Sequence, residues 1–143
     1  MKKNVKLLIS CLFAGAFVVL MSSSTILNGW SKGEANWMHV KIPANYDFDK
    51  AFSTALDLLS EKYEMGVVNQ EEGYARTAWK FCRKPNGKID KSLRTRVTIK
   101  LTHDGKKLSV KTEVQKLIQH NWVDGYNDIE SYQARDELQE VLR

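Results

Sequence analysis

The first clear pattern along the chain runs from Trp37 to Ile42, where Met38, Val40 and Ile42 fall on one side of an alternation that Pro43 ends; it predicts a strand. Asn45 and Asp47 then offer capping oxygens, and Asp49 puts negative charge where a helix dipole is positive. Phe48, Phe52, Ala55, Leu56, Leu59 and Tyr63 follow at spacings of three and four, which predicts an amphipathic helix with Gly66 as its left-handed terminator. The period next changes to two. A short strand is expected over Val67–Gln70, a turn at Glu71-Glu72-Gly73, and one longer strand over Tyr74–Cys82. Pro85-Asn86-Gly87 marks a hairpin loop within Arg83–Lys91. Leu93–Thr102 alternates most cleanly, Asp104-Gly105 centres another hairpin turn, and Leu108, Val110, Thr112 and Val114 mark the next strand. Asn121–Asn127 reads as a loop into a final helix, with Asn127 and Glu130 spaced as a capping box and Ile129, Tyr132, Leu138, Val141 and Leu142 as the apolar stripe.

The predicted order is β-α-β-β-β-β-α. Hairpin-length connections imply an α+β domain with an antiparallel sheet of about five strands. The first helix is expected across one face of that sheet, because neither element hides its apolar side alone.

Upstream of this pattern the chain changes character. Lys2, Lys3 and Lys6 precede an apolar run from Leu7 to Met21, and Ser22, Ser23 and Ser24 supply small residues of the kind cut by signal peptidase. Residues 1–24 therefore read as a secretory signal, with the basic end held in the cytoplasm. The alternative is an uncleaved N-terminal membrane anchor, although the run is shorter than the roughly 20 residues of a spanning helix. Leu8-Ile9-Ser10-Cys11 has the form of a lipobox, but most of the apolar run follows Cys11, so the cysteine fits better as a passive part of the signal. Residues 25–36, with Gly, Ser and Asn, read as a linker, and residues 37–143 as a single domain. The expected address is extracytoplasmic: periplasmic, or membrane-associated through the N-terminus if the signal stays attached.

Composition narrows the chemistry. Removing residues 1–24 from 143 leaves 119, a length able to bury a proper core. The full chain carries +5 and loses three lysines with the signal, so the exported part is close to +2, too mild to indicate a nucleic-acid binder. Only Cys82 then remains, and no intramolecular disulfide can form.

The segment Ile42-Pro43-Ala44-Asn45-Tyr46-Asp47-Phe48-Asp49-Lys50-Ala51-Phe52 and the strand Arg94-Thr95-Arg96-Val97-Thr98-Ile99-Lys100-Leu101, following an export signal, resemble the helix-grip domains of BamC-like envelope lipoproteins. The likeness is one of pattern over residues 37–143, shared in part by cystatin-like folds. It implies a helix gripped by an antiparallel sheet and a place near the machinery that assembles outer-membrane barrels. This chain has one such domain where the family has two, and no functional residue carries over.

Charge is the remaining signal. Residues 74–112 hold twelve Lys or Arg against Asp90 and Asp104, whereas acidic residues outnumber basic ones in both flanks. If Ala75, Thr77, Trp79 and Phe81 face the helix, Arg76 and Lys80 point away, and Arg94, Arg96, Lys100 and Lys111 join them as a basic sheet face. That face is either plain surface, solvated or covered by Asp136, Glu137 and Glu140 of the last helix, or a site for an acidic envelope protein or an anionic lipid. Trp122 and Tyr126 lie in the expected loop and either anchor a partner or pack under the last helix.

Enzymatic readings find little support. A thiol nucleophile would need Cys82 beside one of His39, His103 and His120, in surroundings the sequence does not supply. No His or Cys pair has the spacing of a metal site, and Gly125 is misplaced for a calcium loop at Asp124–Asp128. No cofactor is implied. The expected function is a non-enzymatic envelope interaction or scaffold module, with a carrier or sensor of an anionic ligand as the alternative.

Overall fold

Asp47 accepts a hydrogen bond from the Lys50 amide at 2.8 Å and so starts a helix, α1, Phe48–Lys62. The computed structural model describes residues 29–143, and the signal or anchor expected over residues 1–24 lies outside them. The strands are β1 (Ser31–Lys32), β2 (Met38–Lys41), β3 (Met65–Asn69), β4 (Tyr74–Thr77), β5 (Lys80–Arg83), β6 (Ile89–Leu101), β7 (Lys107–Ile118) and β8 (Asn121–Tyr126). A second helix, α2, Asp128–Val141, closes the chain.

All strand pairs are antiparallel, in one eight-stranded sheet ordered β1-β8-β7-β6-β4-β3. The α+β class and the helix-covered antiparallel sheet are as expected; the sheet is larger than the five strands predicted. Its spine is the β6–β7 hairpin, and each long strand serves two partners on its outer edge. β7 pairs with β2 over Lys107–Val110 and with β8 over Val114–Ile118, while β6 pairs with β4 and β5.

Three local events account for the extra strands. The stretch expected to be a tether joins the sheet: Ser31 and Lys32 pair with Tyr126 and Gly125, and Trp30 Nε1 donates to the Val114 carbonyl at 3.1 Å. The stretch Asn121–Tyr126, read as a loop, is strand β8. A two-residue turn returns the chain into it, with Gln119 and His120 both left-handed at φ 49° and 67°. Such turns usually announce themselves with Asn or Gly, and neither stands at those two positions. Gly125 lets Trp30 lie directly on β8, since a Cβ there would come within 2.3 Å of Trp30 Nε1.

The third event is a break in the predicted strand Tyr74–Cys82. Ala78 and Trp79 leave the ladder, the Ala78 amide donates to Glu64 O at 2.7 Å, and the chain resumes as β5 with its side-chain parity reversed. Gly66 also departs from expectation. The helix ends at Lys62 with Tyr63 extended, and Gly66 sits at a bulge where a Cβ would press on the Thr77–Ala78 backbone at 3.2 Å.

Both helices cover one face of the sheet. The core holds Phe52, Ala55 and Leu59 of α1, Val97, Ile99 and Leu101 of β6, Leu108 and Val110 of β7, and Leu138 and Leu142 at the chain end. Burying each large apolar side chain contributes about 1.5–3 kcal/mol. Gln139 of α2 binds both the amide and the carbonyl of Lys41 at 2.9 Å, stitching the helix to β2, and Lys62 pairs with Glu137 at 2.6 Å between the helices. The expected stripe of α2 is partly wrong: Ile129, Tyr132 and Val141 are exposed, and the inward line runs through Ser131, Leu138 and Leu142. Among the described residues no helix is long and apolar enough to cross a membrane.

Candidate functional site on the open sheet face

The face opposite the helices is built by strict alternation on β6 and β7. Leu93, Thr95, Val97, Ile99 and Leu101 turn toward the helices, so Arg94, Arg96, Thr98 and Lys100 turn the other way. Register then sets their neighbours. Arg94 lies opposite Gln115, Arg96 opposite Glu113, Thr98 opposite Lys111 and Lys100 opposite Ser109. On the flanking strands, Tyr74 pairs with Lys100, Arg76 with Thr98, and Phe81 with Arg94.

Five of the six expected basic residues, Arg76, Arg94, Arg96, Lys100 and Lys111, are thus brought onto one face. Lys80 is not. The break at Ala78–Trp79 places it opposite Thr95 on the helix side, where its Nζ donates to Lys62 O at 2.7 Å and lies 5.0 Å from the Tyr63 ring centre. The same parity change moves Trp79 and Phe81, expected in the core, onto the open face. Trp79 lies beneath Arg94 and Arg96, at 4.8 and 4.3 Å from ring centre to guanidinium carbon, and Phe81 is 45% exposed.

Trp122 reaches the same place from β8. Its ring centre is 4.0 Å from the Arg94 guanidinium carbon and 6.3 Å from the Phe81 ring. Arg94 therefore contacts two indoles, and its Nε donates to Gln115 Oε1 at 2.8 Å. Gln115 in turn donates to Asp124 Oδ1 at 2.6 Å. Burial first, and then the neighbouring Arg96, lower the Arg94 pKa, with Asp124 opposing; an arginine keeps its charge regardless. Its two Nη groups have no hydrogen-bond partner among the described residues. Arg96 is held differently, in a two-pronged pair with Glu113 at 2.9 and 3.1 Å. Further along, Lys111 lies 5.0 Å from the ring of Trp37, which is 41% exposed. Thr98, between Arg76 and Lys111, is buried beneath its neighbours, as expected when long cationic stems lie flat on a sheet.

The acidic last helix does not cover this face. Glu137 pairs with Lys62 on the helix side, Asp136 with Arg135, and Glu140 with Arg143. The resulting surface is amphipathic: five cations against Glu113 and Asp124, interleaved with Trp37, Trp79, Phe81 and Trp122. Indole–guanidinium contacts contribute roughly 0.5–1 kcal/mol each at exposed positions and hold long side chains in one arrangement. Tyr126, the other loop aromatic, packs against the turn at Gly33, 3.5 Å from where a Cβ would sit.

The residues weighed for nucleophilic chemistry are scattered. Cys82 is buried, and burial, with Glu130 and Asp90 adding, pushes its thiol pKa up to about 12, the reverse of what a nucleophile needs. His39 is bonded to Ser109, His103 stacks on Phe48 in the β6–β7 turn, and His120 occupies the β7–β8 turn. Among the described residues no cluster of three or more His, Cys, Asp or Glu is placed to hold a metal ion.

No protein-family model matches this chain, and no curated protein matches it.

Proposed function

We propose that this chain is a non-enzymatic binding module of the bacterial cell envelope, exported by its first 24 residues, that docks a carboxylate-bearing protein partner on the open sheet face. The observation that carries this reading is Arg94, fixed by Trp79, Trp122 and Gln115, with both Nη groups turned to no protein partner among the described residues. A pre-positioned guanidinium flanked by indoles is the composition of interface hot spots, where Trp, Tyr and Arg carry most of the binding energy. The surplus of cations over Glu113 and Asp124 favours a partner surface bearing carboxylates. We read the architecture as of the helix-grip kind, an inference from the order of elements and the helices lying across one face.

Capture of partners from solubilised envelopes tests the reading. The wild-type protein is expected to retain a partner that Arg94→Glu with Trp122→Ala loses, while the variant still unfolds in one cooperative transition. Equal retention by both would refute the open face as the docking surface. A second reading, a carrier or sensor of an anionic lipid, draws on Arg76 and Lys100, which extend the cationic row beyond the indoles. Under that reading Arg94→Glu with Arg96→Glu abolishes binding to anionic liposomes; unchanged binding, or none by the wild type, removes it.

A further inference from the structure

On the opposite side of the sheet, the two helices do not close completely over β5. A cleft of about 440 Å³ remains between the C-terminal half of α1, the middle of α2 and the strands beneath. Its apolar wall is Leu58, Leu59, Ala134, Leu138 and Val97. Polar groups line it as well, and they are unevenly matched. Lys62 is committed to Glu137 at 2.6 Å, Lys80 to the Lys62 carbonyl and the Tyr63 ring, and Arg83 to the Gly87 carbonyl at 2.9 Å. Glu130 has neither a cation nor a hydrogen-bond partner for its carboxylate among the described residues.

That isolation is unexpected from the sequence. Glu130 stands at the third position of α2, where a capping box would turn its carboxylate back to the Asn127 amide. Asn127 makes its half of the box, accepting from the Ile129 and Glu130 amides at 3.0 and 3.3 Å. Glu130 does not return the bond; its carboxyl lines the cleft instead. Thr112, 2% exposed, lines the cleft floor, and its hydroxyl also lacks a partner among the described residues. A partly buried carboxylate and a buried hydroxyl without partners each cost free energy unless something supplies a donor.

We propose that this cleft binds a small amphipathic amine, its apolar body against Leu58, Ala134 and Leu138 and its ammonium group donating to Glu130. The unmet hydrogen bond selects the polar group of the ligand. The cations at the cleft, Lys62, Lys80 and Arg83, each already meet an acceptor, and Glu137 meets Lys62. An ammonium group supplies the donor that Glu130 lacks. Burial, and then Glu137, raise the Glu130 pKa, in keeping with a carboxylate that lacks its counter-ion.

Calorimetric titration of the full chain with n-octylammonium, n-octanol and n-octanoate tests the proposal. Octylammonium is expected to bind more tightly than either of the others. Glu130→Gln keeps the side-chain shape and should weaken octylammonium by about tenfold or more, while leaving octanol unchanged, as loss of one charge-assisted bond requires. Ala134→Trp fills the cleft and should abolish all binding; should that variant fail to fold, Glu130→Gln still decides. Absence of octylammonium binding, equal binding by Glu130→Gln, or a preference for octanoate would each overturn the proposal. None of these outcomes bears on the open face, which lies across the sheet from the cleft.

Discussion

The two faces of this sheet come from the same strands yet do opposite work. On β6, every second residue, from Leu93 to Leu101, is almost fully buried on the side of the sheet that carries the helices, and the alternate positions bring Arg94, Arg96 and Lys100 to solvent, the two arginines against aromatic rings. The helix-side face gains its stability from apolar area removed from water. The open face gains little from area and holds its geometry through indole–guanidinium contacts, the Arg96–Glu113 pair and the Arg94–Gln115–Asp124 chain. The difference separates what folds the protein from what it presents to others, so the two sets of residues should fail in different assays.

The largest expected effect lies on the helix side. Phe52 is 1% exposed at the centre of the core, and Phe52→Ala should lower stability by about 3–5 kcal/mol in urea unfolding. Truncation of Arg94 to Ala, which removes contacts with two indoles, should cost only about 1 kcal/mol by the same measurement yet abolish capture of the partner. A loss of stability as large as that of Phe52→Ala would mean that the open face is structural after all.

The smallest effect has the opposite sign. The Glu130 pKa is raised in the folded state, so the protonated group favours folding at low pH and this contribution is lost as pH rises through the folded pKa. Above that point the charged, partly buried carboxylate opposes folding. Glu130→Gln should therefore raise the melting temperature at neutral pH, with the gain shrinking toward about pH 4, where glutamate is ordinarily protonated in either state. A gain that is the same at both pH values would show that its charge is not the cause.

Much of the helix side was legible from the chain. The spacing from Phe48 to Leu59, the Asp47 cap, and the alternation over Leu93–Leu101 and Leu108–Val114 all express periodicities set by local geometry. The open face was legible only where alternation continued without interruption. Arg76, Arg94, Arg96, Lys100 and Lys111 stand together as expected, because register follows from hairpins marked by Asp104-Gly105. Lys80, Trp79 and Phe81 were misplaced because a break of two residues reverses parity, and neither Gly nor Pro announces it at Ala78–Trp79. Trp122 reached the face through β8, hidden by a left-handed turn at Gln119-His120 without the usual residues. Helix α2 misled for another reason. Its inward line includes Ser131, whose hydroxyl donates to Asn127 O at 3.1 Å, so a polar residue takes a place that hydrophobicity alone would give to Ile129 or Tyr132.

Photo-crosslinking in living cells tests the central claim most directly, with a crosslinking amino acid placed at Phe81 on the open face or at Asp57 on the exposed side of α1. A discrete adduct to an envelope protein from position 81, lost with Arg94→Glu, and none from position 57 is the predicted result. Adducts of equal yield from both positions, or an adduct from position 57 alone, would contradict the assignment of the open face as the docking surface.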